Sequence, residues 1–290
     1  MNKNKKVFEI KKLNCSYQRS LRPVLEIDDL EIIQGTTTFF LGGSGVGKST
    51  ILESLGLMNN TIQQNKGSVL NFYYQNHKKS YFELWSESEK TLSNFRRDHF
   101  NFIFQSNNLF NSLDAYQNIM IPALLAGRDE ETAKQHTISI LQKILEDVKT
   151  GTNEKINILK LSGGQRQRLS FARAMASYFD VLFADEPTGN LDYDNAHKIM
   201  DFLENEKPAD STVVIVSHDI ELAVSKADHI VFIDRKRDNN FNPPVLWGKI
   251  TKESMYRKEK NQWHDPDNKK ITTSNLIKVL RKRLKEISDE

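Results

Sequence analysis

Residues 36–50 read Thr36-Thr37-Thr38-Phe39-Phe40-Leu41-Gly42-Gly43-Ser44-Gly45-Val46-Gly47-Lys48-Ser49-Thr50. The β-branched and aromatic run predicts a buried strand that ends at a glycine turn. From Gly42 the pattern is G-x-x-x-x-G-K-S. Glycines at these places let backbone N–H groups close around phosphate oxygens where side chains would intrude. The helix predicted from Lys48 directs its positive dipole end at the same oxygens. Lys48 is placed to reach the β- and γ-phosphates, and Ser49 to set its hydroxyl on Mg²⁺, with Thr50 next in the same stretch. Strand, loop and helix in this order indicate an α/β fold that grips a nucleotide.

The flanking chain keeps that alternation. Strands are expected at 7–13, 24–33, 67–74, 101–104, 180–184, 212–216 and 229–233. Helices are expected at 85–97, 113–125, 130–148, 163–178, 191–204 and 220–225, which predicts a mainly parallel sheet. Phe183-Ala184-Asp185-Glu186 closes one of the buried strands. Asp185 then stands at the C-terminal sheet edge, where ligands bind in open α/β folds, and is suited to hold Mg²⁺ through water. Glu186 beside it is suited to polarise an attacking water. Taken alone, two carboxylates at a strand end read equally well as solvated or helix-capping groups.

Composition excludes several classes. The chain has 290 residues with 41 Lys+Arg against 38 Asp+Glu, a formal net charge of +3. This balance does not mark a dedicated nucleic-acid binder. A 38% hydrophobic content with 27% charged residues fits a folded globular chain. One cysteine, Cys15, rules out an internal disulfide and fits a reducing compartment. No apolar run approaches the ~18 residues of a spanning helix, and the basic N-terminus has no apolar stretch behind it. A cytoplasmic location is the expectation. The charge is uneven, because residues 241–290 hold 12 Lys+Arg against 7 Asp+Glu and leave 29 against 31 for the rest. With a loop expected at 235–244, this suggests a body over 1–237 and a basic extension over 238–290. The extension is expected to end in an amphipathic helix at 271–287, with Leu276, Ile277, Leu280, Leu284 and Ile287 on one stripe and Ser274 as N-cap.

Leu161-Ser162-Gly163-Gly164-Gln165 followed by Arg166-Gln167-Arg168 resembles the signature sequence of ABC-type ATPases. Other elements follow in that family's order. Tyr17 stands where an aromatic stacks on adenine, and Gln105 where the family has its Q-loop. Asp185-Glu186-Pro187-Thr188 resembles the Walker B end, Asn190-Leu191-Asp192 the D-loop, and Ser217-His218-Asp219 the switch-histidine loop. The resemblance covers about residues 5–235. It implies a P-loop core with a mainly parallel sheet, an antiparallel β subdomain and a helical subdomain near 106–178. It further implies ATP and Mg²⁺ as ligands, with Ser49, Gln105 and Asp185 at the metal. Glu186 and His218 are implied as the catalytic pair. A homodimer is implied, in which Ser162, Gly163, Gly164, Gln165 and Asp192 of one subunit complete the site formed by the other's loop. Simpler readings stand beside these roles: an N-cap for Ser162, a structural His218, a surface Gln105 and a core Tyr17.

The wording of residues 105–109, 117–122 and 186–192 resembles the lipoprotein-release, macrolide-export and cell-division ATPases of bacteria. That implies an integral-membrane permease on a separate chain and a position on the inner face of the cell membrane. Leu109, Phe110, Ile119, Ile121, Leu124 and Leu125 either line a groove for a permease helix or fill the helical subdomain's own core. The other readings are a cell-division-type regulator that moves no cargo and a soluble ATPase acting on nucleic acid or ribosomes. Sustained heptads are missing from residues 50–160, which speaks against the DNA-repair kind, and no nucleic-acid partner is expected. Residues 59–66, 75–98 and 146–160 depart from the family's wording. Lys278, Arg281, Lys282, Arg283 and Lys285 suggest either contact with anionic lipid headgroups or a docked helix with solvated charges.

Overall fold

The computed structural model describes residues 5–17, 22–145, 155–241 and 244–288, with side chains to 285. Its strands are β1 (Lys6–Cys15), β2 (Leu25–Ile33), β3 (Thr37–Gly42), β4 (Ile62–Gln63), β5 (Val69–Tyr74), β6 (His77–Ser80), β7 (Phe100–Ile103), β8 (Val181–Asp185), β9 (Thr212–Ser217), β10 (His229–Asp238), β11 (Val245–Ile250), β12 (Met255–Glu259), β13 (Gln262–His264) and β14 (Lys270–Ile271). The helices are α1 (Lys48–Leu55), α2 (Tyr81–Leu84), α3 (Glu89–His99), α4 (Ala115–Leu125), α5 (Glu130–Ile144), α6 (Gly163–Ala174), α7 (Tyr193–Glu206), α8 (Ile220–Lys226) and α9 (Thr273–Ser288). The chain divides into one compact unit of residues 1–96 and 210–290 and another of residues 97–209.

In the first unit the sheet runs β6-β5-β1-β2-β11-β10-β3-β9. β3 lies between β10 and β9, parallel to both. Every residue of β3 and β9 is buried, as expected of parallel strands covered on both faces. β1 pairs antiparallel with β2 and β5, and β5 with β6, giving the antiparallel part of the sheet. The β5–β6 hairpin turns at Gln75-Asn76, both with positive φ, the backbone that a two-residue hairpin favours. Lys260-Asn261 makes the same turn between β12 and β13.

The expected loop at 235–244 is corrected in part. β10 continues through Asp238, and β11 fits between β10 and β2 as an interior strand. The boundary expected after residue 237 therefore falls inside β10. Arg235, Lys236 and Arg237 concealed the strand because their charges suggest solvent, yet their backbones pair with Gly248, Trp247 and Leu246. Three further strands, β12 to β14, follow where none was expected. The last helix starts at Thr273, and the Thr272 hydroxyl, not Ser274, accepts the Asn275 N–H at 3.3 Å. Its stripe is buried at Leu276 and Leu280, packed toward α8 and β10. The Ile287 side chain lies outside the described residues.

In the second unit β7 and β8 are parallel. Phe183 of β8 packs its ring against Phe100 and Phe102 of β7. α4, α5 and α6 pack on one another, and α6 also meets α7 and β7. Buried Asn118 fastens the loop before α4. Its side-chain amide donates to the carbonyls of Phe110, Leu113 and Asp114, and its oxygen accepts the Phe110 N–H. Of the helix expected at 130–148, residues 130–144 are helical, and 146–148 lie outside the described residues.

Candidate active site

β3 carries the chain to Gly42 at the C-terminal edge of its sheet. Ser217, the last residue of β9, pairs with Leu41, so exposed His218 follows at the same edge. Gly45 and Gly47 have φ of +76° and +86°, a backbone natural to glycine. A Cβ on Gly42 would lie 3.0 Å from the Ile233 carbonyl oxygen, so the turn has no room for a side chain.

α1 begins at Lys48 with no side chain capping it. By contrast α4 to α8 start under Asp114, Asp129, Ser162, Asp192 and Asp219, each accepting a backbone N–H. An unblocked helix start inside a glycine loop leaves N–H donors and the dipole for an external anion. Lys48 Nζ donates to the carbonyls of Gly42 at 3.0 Å and Gly43 at 2.8 Å, folded back along the loop. Ser49 is exposed and Thr50 buried. The Tyr17 hydroxyl is 3.2 Å from Thr50 Oγ1, and Tyr17 is 43% exposed, so it is not a core aromatic. Donors, cation and exposed ring together suit a nucleoside triphosphate.

In the second unit, Ile103 of β7 pairs with Ala184 of β8. This register sets exposed Gln105, just past β7, and Asp185, at the end of β8, on one edge of the strand pair. Glu186 has φ of +46°, a strained backbone for a carboxylate residue and a mark of functional sites. The turn it opens is closed by the Gly189 N–H to the Glu186 carbonyl at 3.3 Å. It is also held from α6, where buried Gln167 donates to the Pro187 carbonyl. Gln105 and Asp185 offer oxygen donors of the hard type that Mg²⁺ prefers.

Ser162 does act as an N-cap. Its hydroxyl accepts the Gln165 N–H at 3.2 Å, and Gln165 Oε1 accepts the Ser162 N–H at 2.8 Å, forming a capping box. Asp192 caps α7 through the Asn195 N–H at 2.9 Å. That backbone bond, with the Asn195 side chain, holds the Asp192 carboxyl below its ordinary range. Ser162, Gly164, Gln165 and Asp192 share one cavity of about 780 Å³, to which Arg168 and Lys198 add positive charge. A Cβ on Gly164 would lie 3.3 Å from Leu191 Cδ2, a tight contact to which the leucine side chain would have to yield by a few tenths of an ångström.

Two residues beside the phosphate loop escaped the sequence reading. Arg235 Nη2 donates to the Ser44 carbonyl at 2.8 Å. A Cβ on Gly248 would lie 2.0 Å from the Val46 carbonyl oxygen. The available signal was that Gly248 is the only glycine after Gly189, and that it interrupts the apolar run Val245-Leu246-Trp247.

These elements define a P-loop ATPase cassette. The ABC transporter family profile matches residues 25–189, and the chain belongs to that family. It is 34% identical over 231 residues to the macrolide export ATP-binding/permease protein MacB 2 of Yersinia pestis bv. Antiqua (strain Antiqua). That alignment covers 77% of this chain and 32% of the relative. The MacB protein of Shewanella sp. (strain ANA-3) is 32% identical over 234 residues, covering 79% of this chain and 33% of that one. The chain thus spans about a third of the length of these relatives. Among solved structures, the dimeric bacterial ABC transporter cassette MJ0796 superposes with a TM-score of 0.66 at 27% identity. The match covers 86% of this chain and 98% of the cassette. The dimeric post-hydrolysis state of MJ0796 bound to ADP and Pi gives a TM-score of 0.63 at 27% identity, over 78% of this chain and 93% of that one. No helix among the described residues is long and apolar enough to cross a membrane.

Proposed function

We propose that this chain hydrolyses ATP in a head-to-tail homodimer and transmits the resulting motion to an integral-membrane permease on a separate chain. The observation that carries the reading is the uncapped start of α1 within the glycine loop, beside Lys48. In this reading Gly42–Ser49 and Thr50 cradle the triphosphate, and Tyr17 stacks on the adenine. Mg²⁺ held by Ser49, Gln105 and Asp185 would screen the charge of the β- and γ-phosphates. Glu186 accepts the proton of the attacking water and His218 steadies that water against the γ-phosphate. Ser162, Gly163, Gly164, Gln165 and Asp192 of one subunit close on the ATP held by the other.

The macrolide-export relatives support coupling to a permease, and in this reading dimer closure and opening pull on it. Their names join ATP-binding and permease functions in one protein, and the matched region is about a third of their length. The apolar residues after Gln105 divide between two duties. Ile119 is fully buried and serves the core, while Phe110, Leu124 and Leu125 are exposed at 54%, 39% and 73% and suit a permease helix. In this reading the protein sits at the inner face of the membrane through its partner. Affinity purification from detergent-solubilised membranes tests the reading. Recovery of a few-span membrane protein with a large extracytoplasmic domain is expected, and recovery of ribosomes or DNA instead would overturn it.

A further inference from the structure

Three consecutive carbonyls of the phosphate loop are held by cations. Lys48 takes those of Gly42 and Gly43, and Arg235 takes that of Ser44 at 2.8 Å. Two of the three ammonium donors of Lys48 lie on these carbonyls, so serving the β- and γ-phosphates together requires it to give up at least one of them. Once it turns outward, Arg235 still holds the loop tip. The C=O and N–H of a trans peptide point in opposite directions, so anchoring the Ser44 carbonyl fixes the direction of the Gly45 N–H. That N–H is one of the donors a phosphate would meet.

Arg235 is itself held in place. It lies on β10 opposite Gly248 of β11, two residues beyond Ile233, which pairs with Gly42. Its neighbour Asp234 accepts from Arg283 of α9, whose Nη2 donates to both carboxylate oxygens at 2.7 Å and whose Nε donates to Oδ1 at 3.2 Å. Arg283 also donates to the Tyr256 hydroxyl at 3.0 Å and stacks over Phe232 at 4.5 Å. The segment bearing Arg235 is thus clamped by the C-terminal strands and helix, all beyond the family-matched residues 25–189.

We infer that Arg235 is a positioning residue of the ATP site: it sets the phosphate loop for ATP after Lys48 leaves it, and the C-terminal segment holds Arg235 in place. The inference rests on reading residues 42–50 as the ATP loop. The test uses the full chain and compares Arg235→Ala, Arg235→Met and Arg235→Lys for ATP hydrolysis and for ATP binding by calorimetry. Removing one charge-assisted hydrogen bond is expected to raise KM and Kd for ATP about tenfold while kcat falls no more than about threefold. Arg235→Lys restores most of the loss, because its ammonium also donates to a carbonyl. The Gly45 amide resonance shifts in Arg235→Ala and returns toward its original position in Arg235→Lys. If Arg235→Ala does not fold, Arg235→Met, which keeps the apolar stem, is judged by the same values. Unchanged KM and Kd in a folded variant overturn the inference, as does a loss confined to kcat. Lys48→Ala separates the two levels. If it binds ATP like the wild type, the loop reading itself fails. If it loses ATP while Arg235→Ala binds normally, only the Arg235 assignment fails.

Discussion

Gly248→Ala is expected to damage both stability and nucleotide affinity, although the residue lies some two hundred positions from the phosphate loop in sequence. The added methyl would meet the Val46 carbonyl oxygen at 2.0 Å, about 1.5 Å inside the ~3.5 Å at which non-bonded heavy atoms meet. It would also stand 2.7 Å from Ile233 Cγ2 and 3.0 Å from Leu25 Cδ1. The main obstacle is backbone, so no side-chain rotation relieves it. β11 must move away from β10 and β2, or the loop must shift at Val46. Overpacking a core costs about 1–3 kcal/mol, and a backbone obstacle puts this case near the upper figure. For a chain of this size that lowers Tm by roughly 6–10 °C. KM for ATP should rise about tenfold, since displacing a positioning group by about 1 Å costs up to a hundredfold. Differential scanning calorimetry and steady-state ATPase assays read the two effects. Gly127→Ala is the comparison: its φ is +87° with open space around it, so it should cost only about 1 kcal/mol and leave KM alone. A Gly248→Ala protein that melts within about 1 °C of the wild type and keeps its KM would refute this packing argument.

Other outcomes follow from the same structure. The Tyr73 hydroxyl, assisted by Lys6 and Lys11, lowers the Glu9 carboxyl from 4.5 to about 2. This stabilisation is full above the ordinary carboxylate range and is lost as pH falls toward 2. Carbon-detected NMR titration should find the low midpoint in the wild type and a higher one in Tyr73→Phe. Cys15 is buried and burial pushes its thiol up to about 12, so alkylation in native buffer should be negligible and become complete only on unfolding. Removing residues 271–290 deletes buried Leu276 and Leu280 and the Arg283–Asp234 pair, so a lower Tm is expected whether or not lipid is present. Of the two readings of the basic C-terminal helix, lipid contact would use exposed residues such as Lys278 and Lys285. Changing both to Glu should reduce binding to anionic vesicles and leave Tm unchanged; equal vesicle binding would reject the contact.

The nucleotide chemistry was legible in the sequence because it depends on local patterns. A buried strand, a glycine loop and a helix start lie within fifteen consecutive residues, and each later motif closes a strand or opens a helix. The capping box at Ser162 and Gln165 likewise spans four residues. What escaped was non-local. Nothing in the charged run Arg235-Lys236-Arg237 announces a strand until β11 is known to lie beside it. The short strands β12 to β14 alternate only weakly, and the Lys260-Asn261 turn between two of them lacks a glycine. Gly248 stood out by its isolation, but the reason for it is the close approach of Val46, two hundred residues earlier. The amphipathic stripe of α9 was readable, whereas the burial of Leu276 and Leu280 against the body of the same chain depended on tertiary packing.

The central claim is that hydrolysis occurs at a site completed by a second copy of this chain, with Glu186 as the base. Size-exclusion chromatography of Glu186→Gln with Mg-ATP, alongside single-turnover kinetics, tests it most directly. The account predicts a dimer retaining two ATP molecules, with hydrolysis slowed by at least about a hundredfold. A Glu186→Gln protein that stays monomeric with ATP bound, or that turns ATP over at nearly the wild-type rate, would contradict it.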